Sequence, residues 1–141
     1  MTNIDDTLNY LIYKTNIVLK SKLQSALKFF DITSEQWVML NRLSQKDGCN
    51  QKELSIESSK GQAAITRSLD ILEKKGLIER RKSANDRREF LVFITNSGRR
   101  LLEDVDPDVI NYQEKLDTVL SKSETETLKS LLNKLNQGLT T

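Results

Sequence analysis

Apolar residues recur in steps of three and four along most of this chain, and the pattern separates into six helical stretches and one short region of strand. Ile4, Leu8, Leu11, Ile12, Val18, Leu19, Leu23, Ala26, Leu27 and Phe30 predict one long amphipathic helix over residues 4–30, uninterrupted by proline or glycine. Asp5 and Asp6 lie in its first turn, where the helix dipole favours negative charge. Thr33, with Gln36 three residues on, has the spacing of a capping box and opens a second helix to about Gln45, with Trp37, Leu40 and Leu43 as its buried stripe. Asn50 with Glu53 repeats that spacing and starts a short third helix over 51–57, burying Leu54 and Ile56.

The fourth helix follows the turn Ser58-Ser59-Lys60-Gly61 and is closed by Gly76. Ala64, Ile65, Leu69 and Leu72 form its apolar face, while Gln62, Ala63, Thr66 and Arg67 fall on the opposite side near its start. A short helix, a glycine-containing turn and a second helix with small polar residues facing outward is a helix-turn-helix layout. Such a helix fits a DNA major groove roughly 12 Å wide. Leu77–Arg81 and Glu89–Ile94 then read as two strands, joined by the basic run 82–88 with Asn85-Asp86 as turn former.

Thr95 caps a fifth helix carrying Leu101, Leu102, Val105, Val109, Ile110, Leu116 and Leu120, in which Pro107 predicts a kink or a full break. Ser121 with Glu124 caps a last helix striped by Leu128, Leu131, Leu132, Leu135 and Leu139. That stripe is too short for a free coiled coil, so it must pack on something nearby.

Composition narrows the chemistry. With no histidine and a single cysteine, the chain lacks the usual nitrogen ligand for transition metals, any internal disulfide, and Cys-His or Ser-His-Asp catalysis. A glycine-rich phosphate loop is also missing, so neither a cofactor nor an enzymatic activity is expected. The sequence has no apolar run long enough for a membrane span and no signal-peptide layout at its start, which predicts a cytoplasmic protein. Net charge is only +2, yet residues 60–100 hold 11 Lys and Arg against 5 Asp and Glu, a local excess of +6. Basic charge that travels with a candidate reading helix points to a polyanionic partner.

Ile32-Thr33-Ser34-Glu35-Gln36-Trp37, Gln51-Lys52-Glu53-Leu54, Ile65-Thr66-Arg67, the run from Leu72 to Arg80, and above all Asp86-Arg87-Arg88 through Ile94-Thr95 resemble the multiple-antibiotic-resistance regulator (MarR) family of winged helix-turn-helix repressors. The last stretch fits the family's wing signature, Asp-x-Arg, five residues, Leu-Thr, with Ile94 in place of leucine. The likeness spans nearly the whole chain. It implies a single domain over 1–141, mostly α with a small β-hairpin wing: a winged helix-turn-helix over 33–95, flanked by dimerisation helices over 1–30 and 96–141 of an interlocked homodimer. The implied partner is double-stranded DNA with a palindromic operator, half-site centres roughly 34 Å apart. Candidate contacts on the reading helix and its approach are Ser58, Ser59, Lys60, Gln62, Ala63, Thr66 and Arg67. On the wing they are Arg81, Lys82, Asp86, Arg87 and Arg88, with Arg88 and Arg87 in the minor groove and Asp86 shaping the tip.

The same resemblance suggests a small aromatic or anionic effector between the dimer helices and the winged region. Tyr10, Tyr13, Lys14 and Trp37 lie on the two helices that would wall such a crevice; the alternative is that the aromatics are core and Lys14 is solvated. Cys49, between the second and third helices, is not placed for the oxidant switch that some relatives carry on their first helix. The neighbouring Lys46 and Lys52 leave open a lowered thiol pKa. Two rival functions remain: a winged helix that binds only proteins, since fold does not fix function, and a small-molecule enzyme. The +6 cluster and the arginine-tipped wing argue against the first, and the missing catalytic constellations against the second.

Overall fold

The computed structural model describes residues 1–56 and 61–140, with the side chains of Ser55 and Ile56 outside the description. Among these residues six helices and three strands follow in the order α1 (Leu8–Ala26), α2 (Ser34–Gln45), β1 (Cys49–Asn50), α3 (Gln51–Ile56), α4 (Gln62–Lys74), β2 (Ile78–Lys82), β3 (Phe90–Ile94), α5 (Asn96–Asp117) and α6 (Lys122–Leu139). The expected helical class with a small hairpin wing is what forms.

Local chemistry sets most boundaries. The first helix does not start at Ile4: residues Ile4–Asp6 form a separate 3-10 turn, so Asp5 and Asp6 precede α1 instead of opening it. Thr7 is the reason, because its hydroxyl accepts the Tyr10 N–H at 3.2 Å and caps the helix there. At the other end α1 stops at Ala26, short of Phe30. Gln24 then stitches the turn into α2, its amide donating to Ile32 O at 3.2 Å and accepting Ser34 N–H at 2.9 Å. The expected capping boxes form at Thr33/Gln36 and Ser121/Glu124. In α2 the buried stripe is Met39, Leu40 and Leu43; Trp37 is only half-buried, at the margin of the core.

The sheet has a strand that the sequence pattern does not mark. β1 is two residues long and pairs antiparallel with β3 at Cys49↔Val92 and Asn50↔Leu91, giving the order β1-β3-β2. β2 and β3 form the hairpin, in register from Ile78↔Ile94 to Lys82↔Phe90. Strand β2 is shifted one residue from expectation, because Leu77 is taken up in ending α4. Gly76, at φ +75°, donates to Glu73 O at 2.9 Å, and Leu77 N–H donates to Leu72 O at 3.0 Å, a Schellman motif with Leu72 and Leu77 both buried.

The core lies under the sheet and between α2, α4 and α5, with Leu40, Leu43, Leu69, Leu72 and Val105 fully buried. Each such side chain contributes roughly 1.5–3 kcal/mol of burial. α5 runs unbroken through Pro107. The proline sits on the exposed side while Val105 and Val109 are buried on the other, so packing keeps the helix continuous across the one hydrogen bond lost to Glu103 O.

Where α5 starts against Leu77 and the end of β3 there is no room for a side chain at Gly98. A Cβ there would lie 2.4 Å from Leu77 O and 2.7 Å from Ile94 Cγ1. Gly98→Ala is therefore expected to destabilise the fold by roughly 2–3 kcal/mol, as a lower urea midpoint with unchanged slope. At Gly61 nothing lies within 4 Å of a Cβ, so Gly61→Ala is the tolerated control. Equal midpoints for the two variants would show that the junction yields.

Candidate nucleic-acid interface

The placement of α4 is held from four sides. Ile65, Leu69 and Leu72 bury its inner face. Arg80 on β2 pairs with Asp70 at 2.7 Å and Glu73 at 3.7 Å, and its N–H donates to Glu73 Oε2 at 3.1 Å. Lys75 pairs with Asp31 at 3.2 Å and donates to the Asp31 carbonyl, joining the end of α4 to the turn after α1. Gln51, first residue of α3, reaches across with its amide nitrogen to Gln62 Oε1 at 2.9 Å and Thr66 Oγ1 at 2.8 Å.

That arrangement leaves Gln62, Ala63 and Arg67 exposed on the first turns of α4, with Thr66 half-buried and its hydroxyl donating to Gln62 O at 2.9 Å. Gln62, Ala63, Thr66 and Arg67, the side chains expected to contact DNA, thus lie on one side of α4. Ser58, Ser59 and Lys60 lie outside the described residues.

The wing tip is closed by its own side chains. Ser83 N–H donates to Glu89 O at 2.9 Å and Glu89 N–H to Asp86 O at 3.1 Å, extending the hairpin past Lys82. Asp86 Oδ1 accepts the Arg88 N–H at 2.9 Å, and Ser83 Oγ accepts the Asn85 N–H at 3.2 Å, both turns of the kind Asp and Ser side chains favour. Lys82, Arg87 and Arg88 are exposed. Arg81 differs from them: its guanidinium lies 4.2 Å from the Phe93 ring centroid, and its Nε donates to Glu79 at 2.6 Å. Its charge is already matched within the hairpin, so it helps to stiffen the wing.

Three contributors escaped the sequence reading. Gln51 and Arg80 act on α4 from other elements. Asn50 joins the two halves: its Oδ1 accepts Glu53 N–H at 2.7 Å to cap α3, while its Nδ2 donates to Glu89 Oε1 at 2.5 Å at the wing base. The Asn50/Glu53 capping box was legible, but a side-chain bond spanning 39 residues has no local signature.

Away from this face, Tyr10 and Trp37 are half-buried on α1 and α2, Tyr13 is 63% exposed, and Lys14 is exposed. Cys49 does not fit the alternative of a thiol activated by nearby lysines. It is buried in β1, its Sγ donates to Lys46 O at 3.0 Å, and burial first and the Glu53 carboxylate second push its pKa up, outweighing Lys46. Lys46 is itself bound to Glu53 at 3.1 Å, which spends its charge on the carboxylate. Among the described residues, no group of three or more His, Cys, Asp or Glu side chains is placed to hold a metal ion, and no helix is long and apolar enough to cross a membrane.

Comparison with known proteins places this geometry. The model of the MarR family matches residues 32–90. The chain is 26% identical over 129 residues to FarR, an HTH-type transcriptional regulator of Neisseria gonorrhoeae, across 92% of this chain and 88% of that protein. Its structure is similar to that of a mutant E. coli MarR complexed with operator DNA, at 32% identity and TM-score 0.84 over 91% of this chain and 92% of that one. It is also similar to S. aureus MepR in complex with DNA, at 30% identity and TM-score 0.81 over 94% and 98% of the two chains.

Proposed function

The chain belongs to the MarR family, and we infer from that membership that it is a sequence-specific, double-stranded DNA-binding transcriptional regulator. It acts by binding and not by catalysis, as a homodimeric repressor released by a small effector. The observation that carries this reading is the pairing of an exposed polar face on α4 with an arginine-tipped hairpin, both fixed to one core. Gln62 and Ala63 are assigned to base edges, an amide for hydrogen bonds and a methyl-sized surface for thymine. Arg67 and Lys82 are assigned to phosphates, which set register and affinity but carry no sequence information. Arg87 and Arg88 are assigned to the minor groove beside the half-site.

Two copies are required because one leaves too much apolar surface in water. No residue of α1 or α6 is buried within the chain, and Ile12, Ile17, Val18, Leu128 and Leu131 are each at least 43% exposed. Interlocking these helices sets the distance between the two α4 helices. An aromatic or anionic effector seated near Tyr10, Tyr13, Lys14 and Trp37 then acts by binding the DNA-competent and incompetent spacings with different affinity. The half-buried Trp37 and Tyr10 support that location, each residue being partly accessible.

Selection from random duplex DNA, followed by gel-shift titration, tests the reading. The expected result is an enriched palindrome whose half-site centres are one helical turn, roughly 34 Å, apart. A folded protein that enriches nothing over the starting pool would overturn DNA binding as its function.

A further inference from the structure

We propose that Gln51 is a positioning residue that sets the sequence preference of α4, by locking the side chains of Gln62 and Thr66 into a single arrangement. The proposal rests on the reading of α4 as the DNA-reading helix. Gln51 stands at the start of α3 and is half-buried, while Gln62 is exposed on the next helix. Its one amide nitrogen meets both Gln62 Oε1, at 2.9 Å, and Thr66 Oγ1, at 2.8 Å.

The sense of these bonds is fixed by the threonine. Thr66 has one hydroxyl hydrogen, and it goes to the main-chain carbonyl of Gln62 at 2.9 Å. What Thr66 meets on the other side must therefore donate, which makes it the Gln51 nitrogen. The atom of Gln62 facing that same nitrogen must then accept, which makes it the oxygen. The chain of bonds has only one consistent direction, and it decides which edge of the Gln62 amide lies against α3.

This matters because an amide reads a base by placing a donor and an acceptor at particular edges, and turning it over exchanges the two. An exposed glutamine populates several rotamers, and ordering it at binding costs conformational entropy. A brace already in place in the free protein removes part of that cost and excludes the inverted amide. The brace is itself anchored, since Asn50 and Glu53 cap α3 immediately beside it. Gln51 need not touch DNA to have this effect.

The experiment compares wild type, Gln51→Ala, Gln51→Glu and Gln62→Ala on the selected operator and on variants carrying each base at every half-site position. Salt dependence and thermal unfolding are measured alongside. Gln51→Ala is expected to reduce discrimination roughly fivefold to tenfold at the symmetric position that Gln62→Ala also alters, and nowhere else. The salt slope stays at the wild-type value because no phosphate contact is lost, and the unfolding midpoint falls only slightly, because two side-chain hydrogen bonds but no core packing are lost. Gln51→Glu offers only acceptors, so it favours the inverted Gln62 amide and shifts the preferred base. In the Gln62→Ala background, Gln51→Ala adds no further change at that position. Unchanged base preference in Gln51→Ala, or an equal loss on all sequences, overturns the brace while leaving the DNA-binding reading intact. A wild type with no base preference at any position overturns that reading itself.

Discussion

Truncation after Asp117 should abolish the dimer and, with it, specific DNA binding. α6 buries no residue within its own chain, although Leu128, Leu131, Leu132, Leu135 and Leu139 form one stripe along it. A helix in a protein draws most of its stability from packing its apolar face, so a stripe left uncovered by its own chain calls for a second copy to cover it. Without α6 the exposed apolar residues of α1 lose the partner helix proposed to cover them, and the truncated chain is expected to lose dimers and solubility together. Once each half-site must be found by a separate molecule, the gain from linked binding disappears, on the order of 10²- to 10⁴-fold in operator affinity. Leu131→Glu with Leu135→Glu is the milder version, weakening the interface through charge at its centre while leaving the buried core around Leu40, Leu69 and Val105 intact. Sedimentation and gel-shift titration read both effects. A truncated chain that stays soluble and folded as a monomer, or a doubly substituted chain that remains dimeric with full affinity, would count against interlocked helices.

What could be read before any coordinates follows from the range of the interactions involved. Capping residues act within four positions, so Thr33, Thr95 and Ser121 marked their helices correctly, as Gly76 marked the end of α4. The same rule, applied to Thr7, would have placed the start of α1; the apolar residue Ile4 falls in phase with the helix behind it and hid the break. Strand β1 was illegible because two residues carry no periodicity and exist as a strand only through pairing with Val92 and Leu91. At Pro107 the local rule leaves a kink or a full break; the break does not occur, because the packing of Val105 and Val109 keeps α5 continuous.

Of the interface, the exposed ends of the chemistry were legible and their supports were not. The exposure of Gln62, Ala63, Arg67, Arg87 and Arg88, the proposed contacts, follows from their place on a helix face or turn. Gln51, Arg80 and the Asn50–Glu89 bond brace α4 and the wing base from 7 to 39 residues away, and nothing in the local pattern distinguishes them from ordinary polar surface. Arg81 shows the converse, a cation counted toward the partner that is engaged by Glu79 and Phe93. Net charge over a segment therefore overstates what is available to phosphate.

That distinction gives the wing a prediction whose sign separates charge from geometry. Asp86 lies beside Arg87 and Arg88 in a segment with a local excess of +6, so summing charges predicts that Asp86→Ala tightens binding to a polyanion. The hydrogen bonds predict the reverse. Asp86 Oδ1 accepts the Arg88 N–H at 2.9 Å, holding the main chain of the tip in the turn from which both arginines project. Without that acceptor the tip samples other conformations, and the arginines must be ordered when they meet the groove. Asp86→Ala is therefore expected to weaken operator binding about tenfold, roughly equally on all sequences, since minor-groove arginines respond to groove width more than to base identity. Asp86→Asn keeps an oxygen in the same place and drops the charge, so it should bind at least as tightly as wild type. Gel-shift titrations of the three proteins at one fixed salt concentration decide between the accounts: tighter binding by both variants means that charge governs the wing, and a loss confined to Asp86→Ala means that the turn does.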